Sequence, residues 1–387
     1  MRASIPEMAA SLPFPQSSKK EIVAAGRILA ERRLPLTNEV AEAFRIAHAW
    51  RTAHALPMRR VRDDLKGKVR RSGGTGLTAA RIKRMASIRA KLARTPLSLY
   101  QIQDLAGVRA IVPDLADVER IASLYHAGES PHAVRRENDY IAVPKPDGYR
   151  SRHLVLKFAG TGDEEAYSRQ SVEVQLRTRL QHVWSTAVEA VGLAQGVGYK
   201  AGEGPEAWRR LFVLMSGAIA EREGAVPPPG VPIAPRERRE ELRGLARDLR
   251  ALAELEAYRQ TFDLAERVAA AGSGYFLVRF DRERRRAFVQ PYQHLRLGTE
   301  AYDRADGYGA GGTDVLIEVD RLQDLRRAFP NYFLDVREFV GLLREETEPE
   351  HVASPSAATA ASADGMDVSW IPVWDRLRRR GGRGRNG

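Results

Sequence analysis

The chain has 387 residues, a length typical of two or three domains. Hydrophobic residues make up 43% of it, which is enough for packed cores, and no apolar run approaches the ~18 residues that a membrane span needs. The absence of cysteine excludes disulfides and thiolate metal sites and fits a cytoplasmic protein, and we expect no signal peptide because no apolar segment follows the N-terminal Arg.

The formal net charge of +12 is concentrated in one segment. Residues 51–94 contain 14 Lys and Arg against 2 Asp and Glu, an excess equal to that of the whole chain. Such an excess favours polyanionic partners such as nucleotide triphosphates, RNA or an acidic protein. An isolated charge run is more often a solvated helical face, so the assignment depends on the residues that follow it.

Helices are predicted for most of the first hundred residues. Ser17 and Ser18 are suitable N-caps for the first helix, and apolar residues at helical spacing indicate the second. The expected bounds are roughly 18–33, 38–55, 58–71 and 78–92.

From Gly107 onward the pattern indicates a mixed α+β domain. Runs rich in β-branched residues predict strands, and runs with a period of 3.6 residues predict helices between and after them. The strands are VRAIV (108–112), HLVLKF (153–158) and VEVQLRT (172–178), and the helices are 114–126, 179–194 and 205–222.

The Pro-rich segment VPPPGVPIAP (226–235) is predicted to be a linker. Beyond it we expect helices to about residue 271, a small sheet of three strands and a last helix. These three strands are 275–280, 286–292 and 314–320, and the helix is 335–345. The predicted domains are a leader and helix (1–37), an α+β domain (38–225), a smaller α/β domain (236–348) and a disordered basic tail (349–387).

Polyphosphate binding requires fixed cations and, usually, a carboxylate that holds Mg²⁺. Arg81, Lys83 and Lys91 supply cations, but an ideal helix would place them on different sides, so a bend or a partner element must bring them together. Asp104 lies at the mouth of a predicted strand that contains Arg109. A helix-capping Asp and a surface Arg are the commoner roles of such a pair.

Two further segments carry polar residues in patterns that suit a ligand. In DYIAVPKPDGYRSRH (139–153), two prolines and a glycine fix a loop that presents Lys145, Tyr149 and His153. Tyr149 either stacks on a purine or fills the core behind the turn. Strand alternation places Glu173, Gln175 and Arg177 on one face of VEVQLRT, which lines a cleft or faces solvent.

Taken together, the four segments resemble the RelA/SpoT synthetase family, whose fold is an α+β, nucleotidyltransferase-like mixed sheet with flanking helices. The resemblance implies transfer of pyrophosphate from ATP to a ribose 3′-hydroxyl, with Mg²⁺ on Asp104 and Glu173 and with Glu173 as the base. The implied ATP-binding residues are Arg81, Lys83, Ser87, Lys91 and Arg109. The implied acceptor-binding residues are Lys145, Tyr149, His153, Gln175 and Arg177, with Tyr149 stacking on guanine.

The sequence departs from the family pattern at two places. Asp147 stands where the loop usually has Asn, which puts an extra negative charge near the acceptor. We also find no His-Asp hydrolase domain ahead of the synthetase-like part, because residues 1–60 are too few.

The sequence leaves three functions open, and the first two differ in the acceptor. The first is a GTP or GDP pyrophosphokinase that makes (p)ppGpp. The second is a toxin that modifies the 3′ end of tRNA, since a synthetase-like part followed by this kind of C-terminal region resembles the CapRel-type fused toxin–antitoxin synthetases of phage defence. That resemblance implies an autoregulatory motif at Phe329 and Tyr332, released by a phage protein, although Phe329 stands where a Tyr is expected. The third is a catalytically inactive nucleotide- or RNA-binding regulator.

Overall fold

The structure is a computed structural model of a chain that forms two compact units, residues 1–347 and 348–387. It describes residues 17–31, 33–35, 37–199, 202–260, 275–281, 286–294, 297–298, 301, 315–318 and 336–348. The N-terminal leader up to residue 16, the tail from residue 349 and the Phe329–Tyr332 motif lie outside these residues.

Several of the described helices begin where the sequence supplies a side-chain cap. Ser18 and Glu21 form a capping box at the first helix, and Thr178 and Gln181 form another at the helix that follows the last strand of the cleft. The helices are α1 (Lys19–Leu29), α2 (Asn38–Thr52), α3 (Ala55–Ser72), α4 (Met85–Arg94), α5 (Leu115–His126), α6 (Arg179–Gln195), α7 (Glu206–Arg222), α8 (Pro235–Asp248), α9 (Ala251–Gln260) and α10 (Arg337–Thr347).

Eight strands form one mixed sheet in the order β3-β4-β5-β2-β1-β8-β6-β7. They are β1 (Leu77–Ile82), β2 (Ala106–Val112), β3 (Ala133–Asp139), β4 (Arg152–Lys157), β5 (Ser171–Thr178), β6 (Tyr275–Asp281), β7 (Arg286–Tyr292) and β8 (Val315–Glu318). Strands β2 and β5 are parallel, and the other neighbours are antiparallel. The predicted α+β class, with a mixed sheet and flanking helices, is confirmed.

One face of the sheet is covered by α3 and α5. Met58, Val61 and Leu65 of α3 and Ile121 of α5 pack on apolar strand residues such as Val174 in a single buried cluster. A second buried cluster joins α6 and α7 to α8, α9 and α10, and a third joins α1, α2 and α4. Because the first cluster takes one set of alternating side chains, the opposite set on the central strands faces away from α3 and α5.

The structure differs from the sequence prediction at residues 78–92. They do not form one helix: Leu77–Ile82 is strand β1, and helix α4 begins at Met85. Strand β1 pairs with β2 along its whole length and with β8 at two positions, so pairing with distant segments decides its conformation over local helix propensity.

The C-terminal strands also differ from expectation. The sequence predicts a small sheet of their own, whereas β8 pairs with β1, and β6 and β7 continue the same sheet. The division of residues 38–348 at the Pro-rich segment stays a prediction.

Several cations of the basic run are buried rather than solvated. Arg51, Arg62 and Lys68 are at most 4% exposed. The ammonium of Lys68 lies 2.5 Å from Asp64 Oδ1 and 4.5 Å from the centre of the Tyr125 ring. The surface charge of residues 51–94 is therefore smaller than their composition indicates. Among the helices that the structure describes, none is long and apolar enough to cross a membrane.

Candidate active site

A cleft of about 760 Å³ lies on the sheet face opposite α3 and α5. Its walls come from β1–β5, from the loop before β4, and from α6 and α7. It brings together nine of the residues proposed from the sequence: Arg81, Lys91, Asp104, Arg109, Lys145, Tyr149, His153, Glu173 and Gln175. Lys83, Ser87 and Arg177 do not line it.

Strand register explains why these side chains meet. Glu173 of β5 lies opposite Gly107 of β2, and Gly107 lies opposite Arg81 of β1, so the three share one row across the sheet. The next row aligns Arg109 with Gln175 and Gln175 with His153 of β4, so the two rows contain five of the nine residues. Since Gly107 has no side chain, the space between Arg81 and Glu173 stays open.

Asp104 is held between two lysines at one end of the cleft. Its Oδ2 accepts from Lys83 Nζ at 2.8 Å, and its Oδ1 accepts from Lys91 Nζ at 2.9 Å. The turn between β1 and α4 makes this possible, because Lys83 follows the strand directly and Lys91 lies within the helix. Burial raises the pKa of Asp104, but the two ammoniums outweigh it and lower that pKa to about 2, so the group is a carboxylate at neutral pH.

Glu173 ends a chain of hydrogen bonds that begins at Tyr149. His153 Nδ1 lies 3.1 Å from Glu173 Oε1, and His153 Nε2 lies 2.8 Å from the Tyr149 hydroxyl. Gln175 donates to the other Glu173 oxygen at 2.7 Å. Both contacts are satisfied when Nδ1 donates to the carboxylate and Nε2 accepts from the phenol. Burial raises the pKa of Glu173, but the bonds from His153 and Gln175 outweigh it, so the net pKa is lowered and the carboxylate is ionised.

The loop that carries Tyr149 is anchored to α6 and α7. Gly148 has φ +88°, and a Cβ at this position would lie 2.9 Å from Trp184 Cζ2, so glycine is required for both conformation and space. Ser216 Oγ donates to the Gly148 carbonyl at 2.6 Å. Asp147 Oδ1 accepts from the Tyr149 N–H at 2.9 Å, which closes an Asx turn.

Tyr149 itself is 9% exposed and belongs to an aromatic group. Its ring centre lies 6.0 Å from that of Tyr140 and 6.4 Å from that of Trp184. The ammonium of Lys145 lies 4.2 Å from the Tyr140 ring centre and 5.2 Å from that of Tyr149. Tyr149 therefore fills the core behind the loop and lines the cleft at the same time.

Three guanidiniums, those of Arg81, Arg109 and Arg177, lie close enough to repel one another. Burial lowers the pKa of Arg177 to about 10, with Arg81 adding to the effect and Tyr149 and Glu189 opposing it. Burial, Arg177 and Arg81 likewise lower the pKa of Arg109. Arg177 is 2% exposed and does not line the cleft.

The cleft also contains residues that no sequence pattern indicates, namely Tyr140, Trp184, Arg209 and Phe212. Tyr140 precedes the acceptor loop, whereas Trp184 comes from α6 and Phe212 from α7. For Tyr140, the available signal was its place in DYIAVPKPDGYRSRH, four residues before the loop prolines begin. Strand β3, whose Arg136 and Asn138 also line the cleft, was likewise missed.

Comparison with known proteins gives a consistent set of relatives. A family model described as "Region found in RelA / SpoT proteins" matches residues 80–204. GTP pyrophosphokinase YjbM of Bacillus subtilis is 33% identical over 112 residues, which are 27% of this chain and 51% of the relative. GTP pyrophosphokinase YwaC of the same organism is 31% identical over 116 residues, which are 28% of this chain and 54% of the relative. The chain thus spans about half the length of these curated relatives.

Solved structures were matched as well. A GTP pyrophosphokinase family protein from Streptococcus pneumoniae has 22% identity and a TM-score of 0.38, with 49% of this chain and 93% of that chain covered. Small alarmone synthetase 1 from Bacillus subtilis, bound to its product pppGpp, has 23% identity and a TM-score of 0.37, with 44% and 90% covered.

Proposed function

We propose that this chain transfers a pyrophosphoryl group from ATP to the 3′-hydroxyl of GDP or GTP, because residues 80–204 match the family model of a region found in RelA and SpoT proteins. The product is a (p)ppGpp-type alarmone. The single observation that carries the proposal is the pairing, in one cleft, of an Asp104–lysine cluster with a hydrogen-bonded Glu173. We also propose a cytoplasmic location, where these nucleotides are found.

We name two groups of residues at the cleft by their proposed ligands; Lys83 does not line the cleft and joins the first group through Asp104. The ATP half consists of Arg81, Lys83, Lys91, Asp104 and Arg109. The acceptor half consists of Lys145, Tyr149, His153, Glu173 and Gln175. Both halves meet at the open space above Gly107.

In the ATP half, the cations offset the negative charge of the triphosphate. Arg81 and Arg109 lie on the cleft floor, and their planar guanidiniums suit both stacking on adenine and contact with phosphate. Lys83 and Lys91 are bound to Asp104 in this structure, so we propose that they turn toward the phosphates when ATP enters.

The donor set fits Mg²⁺. Asp104 and Glu173 are both ionised, and Asp104 is close enough to raise the pKa of Glu173; a carboxylate pair completed by substrate phosphates is the kind of site that Mg²⁺ uses. Among the described residues, no group of three or more His, Asp or Glu side chains forms a metal site of its own, which accords with a metal that arrives with the nucleotide. When bound, the ion neutralises charge on the phosphate oxygens.

In the acceptor half, Glu173 takes the proton from the 3′-hydroxyl. The acceptor O3′ forms a bond to the β-phosphorus of ATP, and the bond from that phosphorus to the oxygen bridging the α-phosphorus breaks, so AMP leaves with that oxygen. His153 and Gln175 orient the carboxylate through both of its oxygens. Positioning and charge supply most of the acceleration in reactions of this kind.

Tyr149 is proposed to stack on the guanine base. Lys145 lies over the Tyr149 ring in this structure, so the lysine has to move aside for the base to take its place. Its ammonium then lies beside the acceptor, where it can contact the phosphates. The anchored loop keeps Tyr149 in position during this exchange.

A transfer assay tests the proposal. The full-length chain is given γ-labelled ATP and MgCl₂ with GDP, GTP or bulk tRNA, and a parallel set contains excess EDTA. We expect label on GDP or GTP, no transfer with EDTA, and no transfer by a Glu173→Gln chain. Label on tRNA alone would replace the proposal with the toxin reading, and binding of nucleotide without transfer to any acceptor would replace it with the inactive regulator.

The burial of several cations weakens one argument for tRNA as the acceptor. The charge excess of residues 51–94 favours RNA only where the cations are exposed, and Arg51, Arg62 and Lys68 are buried. The proposed autoregulatory residues Phe329 and Tyr332 and a phage-protein trigger remain predictions of the sequence.

A further inference from the structure

Strand β1 is the element that carries the ATP half into the cleft, and its second edge is covered by β8. Arg81 is in β1, and Lys83 follows it directly. On one side β1 pairs with β2, and on the other side Ala80 lies opposite Glu318 and Arg81 lies opposite Ile317. Without β8, β1 would be an edge strand whose outward backbone groups have no sheet partner.

A buried ion pair joins β8 to α3 at this point. Arg62 Nη1 of α3 lies 3.2 Å from Glu318 Oε1, and the two side chains are only 5% and 6% exposed. The Tyr275 hydroxyl of β6 donates to the same oxygen at 3.5 Å. Helix α3 belongs to the part that precedes β1, so this pair connects the N-terminal part of the chain to its C-terminal strands.

The ion pair is tied to the register of β1. Ala80, opposite Glu318, is 1% exposed and packs in the cluster that contains Val61 and Leu65 of α3. Its neighbour Arg81 therefore projects to the other face, toward the cleft. A shift of one residue in a strand exchanges its two faces, so the same shift in β1 would turn Arg81 away from the cleft. Glu318 meets Arg62 only while β8 lies beside Ala80.

We propose that β8 is a positioning element of the ATP half: the buried Arg62–Glu318 pair holds β8 against β1 and thereby fixes Arg81 and Lys83 for ATP. The proposal rests on the proposed function and assigns a role to a C-terminal strand that the sequence predicts in a separate domain. Glu318 touches no substrate and acts through β1.

The test compares two buried C-terminal carboxylates in the full-length chain. Glu318→Gln removes the charge beside β1, whereas the control Glu346→Gln removes one that is 4% exposed and pairs with Arg222 and Arg238 of α7 and α8. Calorimetry measures the Kd of a non-hydrolysable ATP analogue and, separately, of GDP. We expect Glu318→Gln to weaken the ATP analogue about tenfold and to leave GDP within about twofold. We expect Glu346→Gln to change the ATP analogue by less than about twofold.

A double variant keeps the test decisive if Glu318→Gln leaves too little folded protein. Arg62→Met with Glu318→Gln removes both buried charges, and a pair without charge is tolerated better than one unpaired charge. Because both changes break one interaction, we expect the double variant to show the same tenfold loss, not the sum of two losses. An ATP-analogue Kd equal to that of wild type, or equal losses for the ATP analogue and GDP, would overturn the role of β8.

Measurements on the wild-type chain distinguish failure of the positioning role of β8 from failure of the proposed function. A wild-type chain that neither binds the ATP analogue nor transfers label would refute the proposed function. A wild-type chain that does both, beside a Glu318→Gln chain that matches Glu346→Gln, would refute only the positioning role.

Discussion

The two halves of the cleft are built on different physical principles. In the ATP half, Lys83, Lys91 and Asp104 are 22%, 29% and 21% exposed, and ion pairs join them. In the acceptor half, Tyr149 and His153 are packed among rings, and the loop that carries them is bonded to α7. The first half includes long, partly exposed charged side chains that a ligand can recruit, and the second half is organised before any ligand arrives.

This difference fits what each half is proposed to recognise. A triphosphate is flexible and highly charged, so long side chains that exchange one anion for another suit it. An acceptor hydroxyl has to lie in line with the phosphorus that it attacks, so a rigid surface behind the base and an oriented carboxylate suit it. Substitutions in the acceptor half should therefore cost more than those in the ATP half.

The largest effect is expected from Glu173→Gln. The amide keeps the shape and one acceptor oxygen but cannot take a proton, so kcat should fall by at least about a thousandfold. The melting temperature should stay close to that of wild type, because the side chain bonds His153 and Gln175 in the cleft and is not part of an apolar cluster.

Glu137→Gln is the matched control for this change. Glu137 lies on β3, outside the cleft, and bonds Arg152. Its kcat should stay within about twofold of wild type. Unchanged turnover in Glu173→Gln would remove Glu173 from the mechanism.

Tyr149→Ala should give the next largest effect, confined to the acceptor. Loss of a stacking ring costs about 1–3 kcal/mol per base, so KM for GDP should rise by about tenfold to a hundredfold while KM for ATP changes little. Steady-state kinetics with each substrate varied in turn measures the split.

Tyr149→Phe separates the ring from the hydroxyl. It keeps the stacking surface and loses the hydroxyl that bonds His153, so its KM for GDP should stay near that of wild type. Equal losses for ATP and GDP in Tyr149→Ala would contradict the stacking role and would indicate a general collapse of the loop.

Asp104→Asn tests whether Asp104 neutralises Lys83 and Lys91 in the ATP half before a ligand binds. Asp104 competes with phosphate for Lys83 and Lys91, so its removal should tighten binding of a non-hydrolysable ATP analogue in EDTA by about tenfold. In Mg²⁺ the same variant should lose turnover, because one of the two carboxylates proposed for the metal is gone. Calorimetry in EDTA measures the binding of the analogue, and the transfer assay in Mg²⁺ measures turnover. Weaker binding of the analogue in EDTA would refute the competition between Asp104 and phosphate.

The pKa of Asp104 adds a stability test to the same variant. Because the folded-state pKa is lowered to about 2, the ion pairs stabilise the fold above the unfolded pKa of about 3.9, and this contribution is lost as the pH falls toward 2. The difference in melting temperature between wild type and Asp104→Asn should therefore be constant at neutral pH and should shrink below about pH 4.

Sequence patterns predicted the acceptor half better than the ATP half. Alternation in VEVQLRT correctly placed Glu173 and Gln175 on a shared face, because a period of two depends only on the strand itself. Arg177 has the same parity but is buried, since the cover at the end of a strand depends on how other elements pack there.

The ATP half was harder because its geometry depends on distant pairing. Residues 77–82 contain good helix formers, and only hydrogen bonding to β2 and to β8, far along the chain, makes them a strand. The position of β8 in the sheet is unpredictable for the same reason. Its four residues indicate a strand, but they do not indicate that this strand pairs with β1. Tertiary contacts of this kind leave no local period in the sequence.

The smallest effect is expected at Asp147, where the sequence departs from the usual Asn. Its Oδ1 accepts from the Tyr149 N–H, a bond that an Asn side-chain oxygen makes equally well, so Asp147→Asn should leave the loop and the melting temperature unchanged. Removing a negative charge from the cleft should lower KM for GDP by about two- to threefold, and the gain should fade at high salt. Asp147→Ala, which loses the turn as well, should instead raise that KM. If Asn and Ala change KM in the same direction, the charge and not the Asx turn is what matters at this position.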